Sequence, residues 1–208
     1  MSRDAALEVM DALGRRVVAA AAPLAFRRAR SEGELEAVFR LRYRVCVDRG
    51  WVKAEELPDG VERDAYDERA IHLTAWDGER LAALCRIVLP EPGRRLPVEA
   101  TFDLVLEPPG QVVDLGRVAV ADTYRGNDRR VLSGLVGCAW LEARSLGFHD
   151  CSGVASKPML ELYRRAGLEM TVLGPPRLSW GEWRMPIQID VVRTAERVIR
   201  RAQREPRN

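Results

Sequence analysis

The 208-residue sequence is poor in the residues that build most metal and nucleophile sites: it has two histidines and four cysteines, and Lys53 and Lys157 are its only lysines. Cys46, Cys85, Cys138 and Cys151 are widely spread with no C-x-x-C pair, so neither a disulfide framework nor a metal site such as zinc finds support. His72 and His149 have no motif around them, which argues against a histidine-based triad. No apolar run reaches the ~18 residues needed to span a bilayer. Asp4, Glu8 and Asp11 make the N-terminus too acidic for a secretory signal. These absences point to the reducing cytosol. Charge of one sign is also missing: 33 basic against 31 acidic residues leave a net +2, too even for a dedicated nucleic-acid binder. With 47% hydrophobic residues the chain has enough apolar material for a real core.

Punctuation and periodicity predict an α/β chain with a mixed sheet. Residues 4–22 read as an Ala-rich helix ended by Pro23, followed by a short strand over 26–30. Ser31 and Glu34 have capping-box spacing at the head of a second helix whose apolar positions run through Leu35, Val38, Phe39 and Leu41 towards Val45. Residues 51–69 are acidic and aperiodic, and a loop of that length is usually functional. Strands at 70–76 and 81–89 flank Asp77-Gly78, a hairpin signal. A short helix at 98–106, a central strand over 112–121, a helix from about 128 to 146, a strand at 150–155 and a helix at 158–166 follow. Strands near 170–174 and 184–191 and a basic helix over 194–203 complete the pattern. The expected division is an N-terminal helix (1–23), a main α/β body (24–191) and a basic C-terminal helix and tail (192–208), all within one α/β domain.

Ionisable residues in otherwise apolar elements are the places to look for chemistry. Glu62-x-Asp64-x-x-Asp67 packs three mutually repelling carboxylates into six residues, which suits a solvated loop or one that meets cations. Asp114 and Arg117 interrupt a strand of β-branched residues. Alternation would send them to opposite faces unless a bulge, for which Gly116 is a plausible place, brings both into one cleft. Arg86 poses the same question in its own strand, and a self-satisfied internal salt bridge is the plainer explanation. The cysteines lie in apolar elements and read as core rather than as nucleophiles. Arg125-Gly126-Asn127-Asp128-Arg129, between strand and helix, resembles a reduced form of the loop with which GNAT acyltransferases hold coenzyme A. It has a single glycine and an acid where that loop meets phosphate, and a plain helix-start turn also explains it.

The order of these signals is more specific than any one of them. Arg42, the segment 48–51 ending in Trp51, Glu62/Asp64/Asp67, Arg86 in CRIVLP, Phe102 and Asp114-x-x-Arg117 occur in series. That series resembles the acyl-homoserine-lactone synthases of bacterial quorum sensing, and the likeness continues through the stretch beginning at Met159 as far as Pro176. The resemblance implies a single GNAT-like domain, a mixed sheet flanked by helices with extra helices at both ends. It implies an acyl donor, either acyl carrier protein or coenzyme A, and S-adenosylmethionine as acceptor, with no tightly bound cofactor. Acylation of its amine and displacement of methylthioadenosine by its carboxylate would give the lactone. By position, Arg42, Trp51, Asp64, Asp67, Arg86, Phe102 and Arg117 would bind substrate. Asp114, in place of the family's Glu, and Glu62 would be catalytic, and Gly153 would lie in the acyl pocket.

Two departures carry expectations, as do the basic helix and the charged cluster. Cys46 stands where the family has an aromatic four residues after Arg42, which keeps open an N-acyl amino acid synthase of the same fold. Gly153 stands where synthases of 3-oxo products often carry Thr, so a chain without a 3-oxo group is expected unless the glycine merely eases strand packing. The basic helix suits an acidic carrier protein, a partner for a non-catalytic binding module, or only solvent. The charged cluster is expected to be wet, so that losing one member stops turnover with little effect on folding.

Overall fold

In the computed structural model, which describes residues 1–126 and 129–204, helix α1 (Arg3–Ala20) is capped by Ser2, whose Oγ accepts from Ala5 N. Strand β1 (Ala25–Arg28) leads into helix α2 (Glu32–Asp48), which starts with the capping box: Ser31 Oγ accepts from Glu34 N, and Glu34 accepts from Ser31 N. The hairpin β2 (Ala70–Asp77) and β3 (Arg80–Val88) turns at Gly78, whose φ of 57° is the conformation that Asp-Gly foretells. Helix α3 (Pro97–Phe102), strand β4 (Val112–Val120), helix α4 (Arg129–Ser145), strand β5 (Asp150–Ser156) and helix α5 (Lys157–Arg165) follow. The chain continues through β6 (Met170–Val172), β7 (Arg177–Ser179) and β8 (Glu182–Ile189) into α6 (Val191–Arg204). Most elements match the sequence expectation to within a few residues. β7 has no counterpart in it, and α3 stops at Phe102, where Asp103 turns left-handed at φ 54°.

The sheet order is β1-β2-β3-β4-β5-β8-β6, with β7 also on β8. Every pairing is antiparallel except β4 with β5. Parallel pairing runs from Val112–Asp150 to Leu115–Gly153 and stops, so the two strands part in the middle of the sheet. Pleat alternation then sorts the strands into two faces. Cys85, Ile87, Val113 and Leu73 join Leu135, Trp140 and Ala143 of α4 in the main core. Leu84 and Ala119 point the other way, onto Val38, Leu41 and Val45 of α2.

The terminal helices are built into this core. Ala6, Leu7 and Met10 of α1 pack in the same cluster as Val191 and Ala195 of α6. Asp11 accepts from Trp140 Nε1 (2.8 Å) and Arg144 Nε (3.0 Å). Helices α1 and α4 meet through Gly14 and Gly137; a Cβ on Gly137 would lie 2.4 Å from Val17 Cγ2. The three segments expected from sequence thus share one hydrophobic centre.

Candidate functional site

Helix α2 buries one flank, and Arg42, next to Leu41, goes down with it to 1% exposure. Arg86 is buried equally deeply on the same side of β3, paired in register with His72 of β2. Two guanidiniums in such a place are costly unless paired. Their partners come from the acidic loop, which Glu62 N ties to α2 by donating to Phe39 O at 3.1 Å. The loop also folds on itself, with Asp64 N donating to Asp67 Oδ2 (2.7 Å) and Tyr66 N to Asp64 Oδ1 (2.9 Å).

Arg117 completes the arrangement because β4 bulges. Leu84 pairs with Ala119 but Arg86 pairs with Gly116, so β4 carries an extra residue there, and Arg117 has φ 51°. Leu115 and Val118, three apart, both join the α4 side. The bulge beside Gly116 is what the sequence suggested, and it frees Arg117 for the acidic side.

The six charges form a closed ring of alternating sign. Asp67 Oδ1 accepts from Arg42 Nη1 (2.7 Å) and Arg86 Nη1 (2.8 Å). Asp64 accepts from Arg86 Nη1 at Oδ1 (2.6 Å) and Arg117 Nη2 at Oδ2 (2.8 Å). Glu62 accepts from Arg117 Nε at Oε1 (3.3 Å) and from Arg42 Nε at Oε2 (2.5 Å). Burial pushes the Asp67 carboxyl up, but bonds from Arg42 and Arg86 outweigh it and hold the group at about 2. Burial keeps His72, 3.7 Å from Asp67, below its usual pKa despite that neighbour. The expectation of a wet cluster fails at its inner half, since Arg42, Glu62, Asp67 and Arg86 have side chains at most 5% exposed. Arg117 and Asp64 form the open edge at 22% and 29%.

Asp114 lies near this ring but outside its hydrogen bonds. Its Oδ2 accepts from Val98 N at 2.9 Å, and burial raises its pKa to about 6 against the pull of that bond, Arg86 and Arg117. Glu62 has each oxygen held by a guanidinium, whereas Asp114 is poised to exchange a proton near neutrality.

A cavity of about 670 Å³ opens where β4 and β5 part. One end is polar and aromatic, with Cys46, Trp51, Arg117, Trp180, Glu182 and Arg184. The other is apolar, walled by Met10, Leu13 and Val17 of α1, Val136 and Trp140 of α4, and Met159 and Leu162 of α5. Trp180 and Gly181 form the turn between β7 and β8 with φ 53° and 67°, a conformation a bulky residue seldom adopts. The indole of Trp180 lies 4.5 Å from the Arg117 guanidinium. Arg184 stacks on Trp51 at 4.5 Å, and Trp51 Nε1 donates to Glu182 Oε1 at 3.0 Å.

Of the residues singled out in the sequence, Arg42, Glu62, Asp64, Asp67, Arg86 and Arg117 come together in the ring, with Trp51 on the cavity wall and Asp114 behind it. Phe102 goes elsewhere, packed with Val88, Leu96, Val98 and Leu106 under α3 and not among the residues lining the cavity. Gly153 sits at the point where the strands part, and a Cβ on it would lie 2.5 Å from Leu115 O. Its hydrogen side chain is therefore demanded by backbone packing, so the missing Thr carries no message about a 3-oxo group. Arg125 donates to Val120 O and pairs with Asp122 in its own turn, while Asn127 and Asp128 of the phosphate-loop-like motif lie outside the described residues. All four cysteines are free thiols, and burial lifts Cys46 to about 11 and Cys151 to about 12, which leaves them inert. Sequence reasoning missed Trp180, Glu182 and Arg184. For Glu182 and Arg184 the signal was an acid and a base two residues apart, spacing that puts residues on one strand face; Trp180, in the turn before them, offered none.

The family profile for the acetyltransferase (GNAT) domain matches residues 41–136. Solved structures share the fold along most of the chain. BjaI, a CoA-dependent acyl-homoserine lactone synthase, is 26% identical, with 85% of this chain and 84% of that one covered at a TM-score of 0.64. MesI, another CoA-dependent acyl-homoserine lactone synthase, is 26% identical with 83% and 89% covered at 0.61. FeeM, an N-acyl amino acid synthase from uncultured soil microbes, is 14% identical with 82% and 92% covered at 0.65. The sequence matches none of the curated proteins compared with it. The fold is that of the GNAT acyltransferases, the resemblance to acyl-homoserine-lactone synthases extends to three dimensions, and the chain is an acyltransferase. A non-catalytic binding module is accordingly set aside. No helix among the described residues is long and apolar enough to cross a membrane.

Proposed function

We propose that this acyltransferase moves an acyl group from a coenzyme A or carrier-protein thioester to the amine of S-adenosylmethionine, and that the acylated product closes to a homoserine lactone with release of methylthioadenosine. The observation that carries this reading is the closed ring of Arg42, Glu62, Asp64, Asp67, Arg86 and Arg117, set beside a cavity that opens where β4 and β5 part. BjaI, solved with MTA and with SAM and isopentyl-CoA, supplies the matching chemistry in a relative.

Each part of the reaction finds a group to perform it. A sulfonium-bearing amino acid suits the aromatic and acidic end, where Trp51 and Trp180 offer π faces and Glu182 a carboxylate. The amine must be neutral to attack the thioester carbonyl. Asp114, ionised above about pH 6, accepts the proton through water. The β4 backbone past Leu115 has no β5 partner on that side, so its N–H groups are available to the oxyanion as the tetrahedral intermediate forms. The thiolate then leaves and takes a proton. The acylated acceptor's carboxylate displaces methylthioadenosine from its own γ-carbon, closing the ring without a further reactant.

Cys46, a small side chain on the cavity wall where an aromatic was expected, favours one second reading, acylation of a free amino acid. Incubating the purified protein with acyl-CoA and S-adenosylmethionine and analysing the products by mass spectrometry tests both. Acyl-homoserine lactone with stoichiometric methylthioadenosine is expected. An N-acyl amino acid formed without methylthioadenosine would replace the first reading by the second.

A further inference from the structure

Among the described residues, Arg184 is the half-buried arginine on the cavity wall that has buried guanidinium nitrogens without a hydrogen-bonding partner. Nε and Nη2 of Arg184 are buried and unbonded, and the nearest carboxylate oxygen, Glu182 Oε2, is 3.7 Å from Nη2. The other oxygen of Glu182 is occupied by Trp51. Two further guanidinium nitrogens among the described residues are orphaned, Arg42 Nη2 and Arg86 Nε, but both belong to ring arginines that already bind two carboxylates and do not line the cavity. Arg184 does line it, with its guanidinium carbon held over the Trp51 ring at 4.5 Å. A guanidinium fixed in this way presents two parallel donors along one edge, the spacing of a carboxylate's two oxygens.

We infer that Arg184 is the subsite for the acceptor's carboxylate, and that the enzyme therefore selects α-amino acids and their derivatives over simple amines. The inference rests on the proposed transfer to an amine in this cavity and holds for S-adenosylmethionine and for a free amino acid alike. Glu182, next to Arg184, suits a zwitterion whose ammonium lies close to its carboxylate, and disfavours a dianionic phosphate of the donor. With the carboxylate on Arg184, the ammonium of the same molecule falls towards Glu182, the carboxylate on the same wall. Arg184 is thus the member of the site that distinguishes what is acylated, while the ring fixes Arg117 and the wall.

The test compares S-adenosylmethionine with its decarboxylated analogue on the wild-type chain, Arg184→Met and Arg184→Lys, following thiol release from the acyl donor, which reports acylation of any amine. Wild type should prefer the carboxylated acceptor. Arg184→Met should raise its KM roughly ten- to hundredfold, the range for charge-assisted hydrogen bonds, leave the donor's KM in place and lose the preference. Arg184→Lys, which keeps charge without the fork, should fall between and serves if the Met variant fails to fold. Equal losses on both acceptors would overturn the inference, and so would a rise in the donor's KM instead. Thermal-shift binding of the same two acceptors, and of methionine against 3-methylthiopropylamine, reads the preference without turnover. A carboxylate preference in binding that Arg184→Met abolishes, in a protein that releases no methylthioadenosine, would sink the proposed reaction and leave the inference standing. No preference in binding would sink the inference itself.

Discussion

The two ends of the cavity are built on different principles. At the apolar end, Met10, Leu13 and Val17 of α1 face Trp140 and Leu162 with no charge among them, and what fixes them is shape. At the other end Arg117 and Asp64 are the outer edge of a ring whose inner members are shut away from water. An apolar wall yields gradually when a side chain changes size, because neighbours repack. A ring of buried charges does not, since removing one member leaves its two neighbours each short of a partner. The contrast implies that the charged framework holding Arg117 and the wall tolerates little change, whereas acyl-chain preference is open to adjustment along the helices.

The sharpest way to break this contrast is to cut the ring at its buried side. Asp67→Ala or Arg86→Ala should abolish turnover and also cost about 3–5 kcal/mol of stability, the usual cost of stranding a buried partner. Arg117→Ala, at the open edge, should abolish product while moving the melting temperature by only a few degrees, about 1 kcal/mol, because water reaches the vacated site. Product analysis paired with thermal melts of the three variants checks this. Equal destabilisation by all of them would show that inner and outer halves do not differ.

Much of the ring was legible in the sequence because Arg86 and Arg117 interrupt apolar strands, Glu62, Asp64 and Asp67 crowd one loop, and their order with Arg42 resembles that of the acyl-homoserine-lactone synthases. The Asp-Gly hairpin, the Ser31/Glu34 cap and the bulge beside Gly116 were legible as well, since each is a local signal. Burial is not local. That Asp67 and Arg86 would be dry depended on α2 and the loop closing over the strand, so the expectation of a wet cluster failed. At Gly153 the choice between an acyl-pocket role and strand packing was not legible for the same reason: the atom that crowds a side chain there is Leu115 O, on another strand. The turn at Trp180-Gly181 stayed hidden because tryptophan is not a turn residue and is held there by its stack on Arg117. Nor does an amphipathic pattern tell which partner a helix will find, so α1 gave no sign of walling a cavity.

Asp114, buried beside the ring, gives the next largest effect. Its raised pKa means the folded chain holds a proton between about 4 and 6 that the unfolded chain has released. Its contribution to stability is therefore full below about 4 and lost as pH rises through about 6. Activity should run the opposite way, climbing as the group ionises near pH 6. Asp67 has the reverse sign: its stabilising effect is present above its ordinary value near 4 and lost as pH falls towards 2. Asp114→Asn should lower kcat about 10²- to 10⁴-fold, the range for a lost general base, and erase the acid limb of the pH–rate profile. A profile still rising near pH 6 in that variant would assign the limb to another group.

At the apolar end the effect is smaller and graded. Leu13→Trp fills space on the α1 side of the cavity without touching the ring. The longest acyl donors should lose roughly fourfold in kcat/KM for each methylene displaced, from about 0.8 kcal/mol per buried CH₂. Short donors and the KM of the acceptor should hold steady. A uniform loss across chain lengths would place the acyl chain elsewhere, in the smaller space behind Gly153 and Cys151.

The smallest expected effect lies on the basic helix α6, outside both ends. Val191, Thr194 and Ala195 anchor it, while Arg193 and Arg200 are mostly exposed and pair with Asp190 and Glu196. Exposed pairs of this kind contribute about 0–1 kcal/mol, so Arg193→Glu with Arg200→Glu should leave the fold and the use of acyl-CoA almost unchanged. An acidic carrier protein would meet the same face through long-range attraction, which weakens beyond the ~8 Å screening length of physiological salt. If the donor is carrier-bound, the double variant should raise its KM several-fold at low salt and progressively less as salt is added. An unchanged KM for the carrier-bound donor at every ionic strength would reduce α6 to a packing element, and leave α1 as the only terminal helix with a part in the site.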